Sequence, residues 1–98
     1  MNLKEKASVY LSDVASEYVF WLCDRRTLKN LEQLSDALAD MNDDVFRYHV
    51  NSEKNDFANW IYNIIGDKQL ASSIRKLKTK KAIHAKIKER LLALKGAK

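Results

Sequence analysis

The sequence predicts an all-α domain of about five to six short helices, and three observations predict it. The 98 residues contain no proline and two glycines, Gly66 and Gly96, so little interrupts regular backbone, whereas all-β domains need frequent turn residues. Apolar residues recur at spacings of three and four along most of the chain. Leu, Ala, Lys, Glu, Gln and Arg, which lose least on entering a helix, fill the stretches between capping residues.

From Leu3 to about Cys23, the apolar positions Leu11, Val14, Ala15, Tyr18, Trp21 and Leu22 share one helical face, which predicts a first helix. Its weak point is Tyr18 to Cys23, an aromatic-rich apolar run equally compatible with a short buried strand. After the basic corner Arg25-Arg26, Asn30 caps a second helix, with Gln33 at the capping-box position and Leu28, Leu31, Leu34, Leu38 and Met41 along one side. Asn42 caps a short third helix that ends near Asn51. Asp43 and Asp44 lie in its first turn, where the helix dipole favours negative charge, and Met41 staples against Phe46. Residues 51–55 are a polar connection, and Asn55 or Ser52 caps the fourth helix. Its Phe57, Trp60, Ile61, Ile64 and Ile65 make the clearest amphipathic stripe in the chain, stopped by Gly66. Asp67 caps a fifth helix carrying Leu70, Ala71, Ile74 and Leu77. Thr79 caps a sixth running to about Lys95, with Gly96 as its stop.

Length and composition predict one domain over residues 1–98, with a core at about 8–78 and a basic amphipathic helix at about 79–95. A hydrophobic fraction of 46% is ordinary for a globular chain and argues against a disordered tail. Asp13 and Glu17 interrupt the amino-terminal apolar run before signal-peptide length, and no stretch reaches the ~20 apolar residues of a membrane span. The single Cys23 cannot form an internal disulfide, so a reducing, cytoplasmic setting is expected.

Charge is divided along the chain. Residues 1–74 carry 8 basic and 12 acidic side chains, whereas residues 75–98 carry 10 basic ones against Glu89 alone. In the last helix Ile83, Ile87, Leu91 and Leu94 form an apolar seam, with Lys81, Lys88 and Lys95 on one flank and Lys86 and Arg90 on the other. With Arg75, Lys76, Lys78 and Lys80 just before it, this segment is expected to neutralise nucleic-acid phosphates. The candidate contacts are therefore Arg75, Lys76, Lys78, Lys80, Lys81, Lys86, Lys88 and Arg90. No recognition helix, aromatic sheet motif or glycine clamp distinguishes DNA from RNA. The same helix suits three other partners: an acidic protein, a second copy burying the seam, or an anionic membrane surface. A solvated or internally paired face is the plain alternative.

Phe57, Trp60, Trp21, Tyr18 and Tyr10 read as core residues, which leaves Tyr48 and Tyr62 as the aromatics to test as ligand contacts. His49, Glu53, Asp56 and Asn59 lie together around one turn, and a carboxylate can tune a histidine for acid or base work. No nucleophile with its base accompanies them, and His84 lies on another helix, so the expectation is a chain without enzymatic activity, metal or cofactor.

The stretch Phe46-Arg47-Tyr48-His49-Val50, then Asn55-Asp56-Phe57-Ala58-Asn59-Trp60-Ile61 and Leu70-Ala71, preceded by Leu28-Lys29-Asn30-Leu31 and Leu34, resembles an uncharacterised, mainly archaeal family of small helical domains. The resemblance covers about residues 18–75. It implies the helical fold and carries no activity with it. Where that family has a glycine after the first apolar segment, this chain has Arg25 and Arg26.

Overall fold

The computed structural model describes residues 1–97. Five of the helices begin where the capping residues predict, because each cap is a local bond from a backbone N–H three residues ahead to the cap side chain. Asn30 accepts from Gln33 at 2.8 Å, Asn42 from Val45 at 3.0 Å, Asn55 from Ala58 at 3.0 Å, Asp67 from Leu70 at 3.2 Å and Thr79 from Ala82 at 3.2 Å. These open α2 (Leu31–Asp40), α3 (Asp43–His49), α4 (Asp56–Trp60), α5 (Lys68–Arg75) and α6 (Lys80–Gly96). Before them, Asn2 caps α1 (Leu3–Tyr10) by accepting from Glu5 at 2.9 Å.

The first helix is shorter than its apolar spacing predicts, ending at Tyr10 rather than near Cys23. Beyond it the chain is extended: the Val14 N–H donates to the Lys29 carbonyl at 2.8 Å. A single 3-10 turn, Ser16–Tyr18, leads into β1 (Phe20–Trp21), which pairs antiparallel with β2 (Thr27–Leu28) in the register Phe20 to Leu28 and Trp21 to Thr27. The run around Phe20 thus takes its strand alternative. Phe20 and Leu22 point into the core and Trp21 between them points out, the alternation a half-buried strand requires. The hairpin closes with Leu22 donating to the Arg26 carbonyl and Arg25 donating to that of Leu22, and Arg25 takes a left-handed φ of 77°.

The fourth helical segment widens at its end into a π-helical turn over Ile61–Ile65, in which the Gly66 N–H reaches back to the Ile61 carbonyl at 2.8 Å. Gly66 stops it with φ 91°, the left-handed geometry a glycine adopts freely. Gly96, by contrast, lies inside α6, whose cap is Ala97 in right-handed geometry.

One buried cluster unites Ala7 of α1, Phe20, Leu22 and Leu28 of the hairpin region, the apolar faces of α2 to α5, and Ile83, Ile87, Leu91 and Leu94 of α6. The last helix is therefore part of the core, packed against α1, α2 and α5, and not an appendage to a core ending near residue 78. No helix among the described residues is long and apolar enough to cross a membrane.

Candidate nucleic-acid interface

The carboxyl end of α5 is fixed by Asn55, which caps α4 and also donates from Nδ2 to the Ile74 carbonyl at 3.2 Å. This presents the corner between α5 and α6 beside the loop that joins α3 to α4. Arg75 Nη1 donates to Asn59 Oδ1 at 2.8 Å, and Lys78 Nζ to the Asn51 carbonyl at 3.4 Å. Both acceptors are neutral, so both side chains are positioned without losing their charge. Lys76, Lys81 and Lys88 are exposed and make no ion pair among the described residues.

The other three predicted contacts are engaged within the domain. Arg90 lies half-buried against Asp67, which is 1% exposed and caps α5. Both oxygens of that carboxylate are taken by the guanidinium, so Arg90 is a clamp between α5 and α6 rather than a phosphate ligand. Lys80 donates to the Met41 carbonyl and approaches Asp43 at 3.4 Å, bracing the α2–α3 junction. Lys86 pairs one turn along its helix with Glu89 at 3.7 Å, an exposed contact that solvent screens. Lys95, on the flank with Lys81 and Lys88, pairs with Glu32 of α2 at 2.8 Å. The expected apolar seam is wholly buried in the monomer, so a partner reaching α6 meets its cations and the exposed Leu92.

No family model, curated protein or solved structure matches this chain.

His49 has neither ring nitrogen free. Its Nε2 accepts the Cys23 backbone N–H at 3.1 Å, which places the ring proton on Nδ1, 2.9 Å from Asp56 Oδ2. Lys54 Nζ lies 3.0 Å from the same oxygen, and this hydrogen bond holds the ammonium above the usual lysine range. Phe20, Tyr48 and Phe57 surround the imidazole with ring centroids 4.9–5.4 Å away. Asn59 turns to Arg75, and the Glu53 carboxylate forms no ion pair among the described residues, so the four residues do not converge on a reacting atom. What His49 does is tie the hairpin to α3 and α4. The described residues contain no group of three His, Cys, Asp or Glu side chains able to enclose a metal.

The aromatics divide differently from the sequence expectation. Phe57 is fully buried, and Trp60 is buried with its Nε1–H donated to the Tyr18 carbonyl at 2.8 Å. Tyr10 is half-buried against the core, but Tyr18 and Trp21 are 54% and 65% exposed. Helical spacing predicts both inside, but Tyr18 ends the 3-10 turn before the hairpin, and in β1 the period of two puts Trp21 opposite Phe20 and Leu22. Tyr48 and Tyr62 are exposed as expected, with Lys54 and Lys68 respectively lying over their rings. A surface groove of about 540 Å³ runs between β2 and α2 and is lined in part by Arg25, Arg26, Gln33, Asp36 and Asp40. Arg26 is already paired there with Asp24 and Asp40, and its backbone N–H above all holds the Asp24 carboxyl below the ordinary carboxylate range.

Proposed function

We propose that this chain is a non-catalytic, cytoplasmic nucleic-acid-binding domain that contacts phosphates through Arg75, Lys76, Lys78, Lys81 and Lys88. The observation that supports it is the set of five exposed cations around the α5–α6 corner and along α6, none compensated by a carboxylate among the described residues. Lys80, Lys86 and Arg90 leave the contact set because each already serves an internal partner. Phosphate contacts position a protein without reading sequence, so binding is weak and tolerant of sequence.

The test is a salt titration. Neutralising four or five phosphates on duplex DNA gives a slope of log affinity against log salt of about −4. Replacing Lys76, Lys78, Lys81 and Lys88 together by Gln removes charge and preserves helix propensity at the two α6 positions, Lys81 and Lys88, so the slope shrinks while the fold survives. Absence of binding to DNA and RNA at ~50 mM salt, where phosphate contacts are strong, would leave an acidic protein partner as the better reading of the same cations.

A further inference from the structure

We propose that the nucleic acid is engaged as a single strand, with Trp21 and Tyr48 stacking on unpaired bases while the α5–α6 corner holds the phosphates. This rests on the phosphate-binding reading and adds to it the state of the strand.

Trp21 is 65% exposed, and its strand neighbours Phe20 and Leu22 supply the hairpin's core contacts. Across the ladder it faces only Thr27. An indole in that position leaves a large apolar face in water. Tyr48 is 59% exposed on the carboxyl-terminal turn of α3. Its ring is kept in place by Lys54, whose ammonium lies 4.7 Å from the centroid and is itself anchored on Asp56, and by the His49 ring at 4.9 Å.

The two rings are held by one knot. His49 touches Tyr48 directly and binds the Cys23 backbone N–H, two residues beyond Trp21, so the hairpin and α3 are fixed relative to each other. The basic corner joins the same end of α3, because Lys78 reaches the carbonyl of Asn51, three residues past Tyr48, and Arg75 grips Asn59 close by on α4. Exposed aromatics and uncompensated cations are thus linked through a short chain of contacts, the combination that single-strand binders use: cations follow the backbone and ring faces accept any base. An acidic peptide would satisfy the cations and leave both rings without a planar partner.

Duplex and single strand separate the terms. A purely electrostatic binder favours the duplex, which carries the denser charge, whereas stacking requires bases outside a helix. Anisotropy titrations use labelled oligothymidine of roughly 12 nucleotides, within the range one small binding domain covers, and a duplex of the same length. We expect wild type to prefer the single strand. Trp21→Ala and Tyr48→Ala should each weaken it at least about fivefold, the smallest effect typical of losing one stacked base, with duplex affinity and salt slope unchanged. Tyr48→Phe should retain binding. Three results overturn the inference while the phosphate reading stands: both alanine variants holding the single strand like wild type, both losing duplex in the same proportion, or wild type preferring duplex. Displacement of the strand by polyglutamate as readily as by unlabelled oligothymidine of equal charge overturns it in favour of a protein partner. Failure of wild type to bind either nucleic acid removes both readings.

Discussion

Arg90 closes on Asp67 with two parallel hydrogen bonds, Nε to Oδ2 at 2.8 Å and Nη2 to Oδ1 at 3.1 Å, in a pair of which only the guanidinium keeps any contact with solvent. Removing one partner strands the other's charge inside the protein. Arg90→Met is therefore expected to destabilise the fold by about 3–5 kcal/mol, and the Arg90→Met, Asp67→Asn double variant to recover part of that loss. Urea unfolding measures both. An Arg90→Met protein of wild-type stability with weakened nucleic-acid binding would return Arg90 to the proposed contact set.

The two tryptophans should respond oppositely to truncation. Trp60 is buried beside Phe20, with ring centroids 5.7 Å apart, and its Nε1–H satisfies the Tyr18 carbonyl. Trp60→Ala is expected to cost about 3–5 kcal/mol, the usual range for emptying an aromatic site in a core. Trp21→Ala should fall within about 0.5 kcal/mol of wild type, as exposed positions do. Thermal or urea denaturation of the pair decides it; comparable losses would mean that Trp21 is packed.

Arg25 occupies the left-handed position of the hairpin loop, where a side chain costs about 1–2 kcal/mol and glycine is the residue of choice. Part of that relief is offset by glycine's greater loss of backbone freedom. Arg25→Gly should accordingly raise stability by up to about 1 kcal/mol, and the β-branched Arg25→Val should lower it. A destabilised glycine variant would show that the arginine side chain contributes more than its backbone costs.

The ring proton of His49 is expected on Nδ1, since Nε2 accepts from the Cys23 N–H. Nitrogen chemical shifts of the labelled imidazole report the tautomer directly, and a proton found on Nε2 would contradict the arrangement. His49→Ala leaves the Cys23 N–H without its partner and opens space among Phe20, Tyr48 and Phe57, so a loss of about 2–4 kcal/mol is expected.

The candidate site was legible in part. Charge clustering after residue 74 was plain in the sequence, and Arg75, Lys76, Lys78, Lys81 and Lys88 remain exposed in the structure. That Arg90 belongs to Asp67 was not legible, because the partners stand 23 residues apart and no local pattern announces a long-range ion pair. Trp21 was misplaced for a different reason: three- and four-residue spacings within a short aromatic run fit a helix and a strand alike, and the hairpin is settled by pairing with Thr27 and Leu28.

By itself the sequence determined the helix starts, since a cap is a bond between a side chain and a backbone N–H three residues away and needs nothing distant. It also determined the stripe of Phe57, Trp60, Ile61, Ile64 and Ile65, of which all but the half-buried Ile64 are buried. Only the tertiary structure decided where the first helix stops, that the seam of α6 faces inward, and which cations stay exposed. Those outcomes depend on what packs against each segment, and burial and ion pairing between residues far apart in the chain come into being only when the chain has folded.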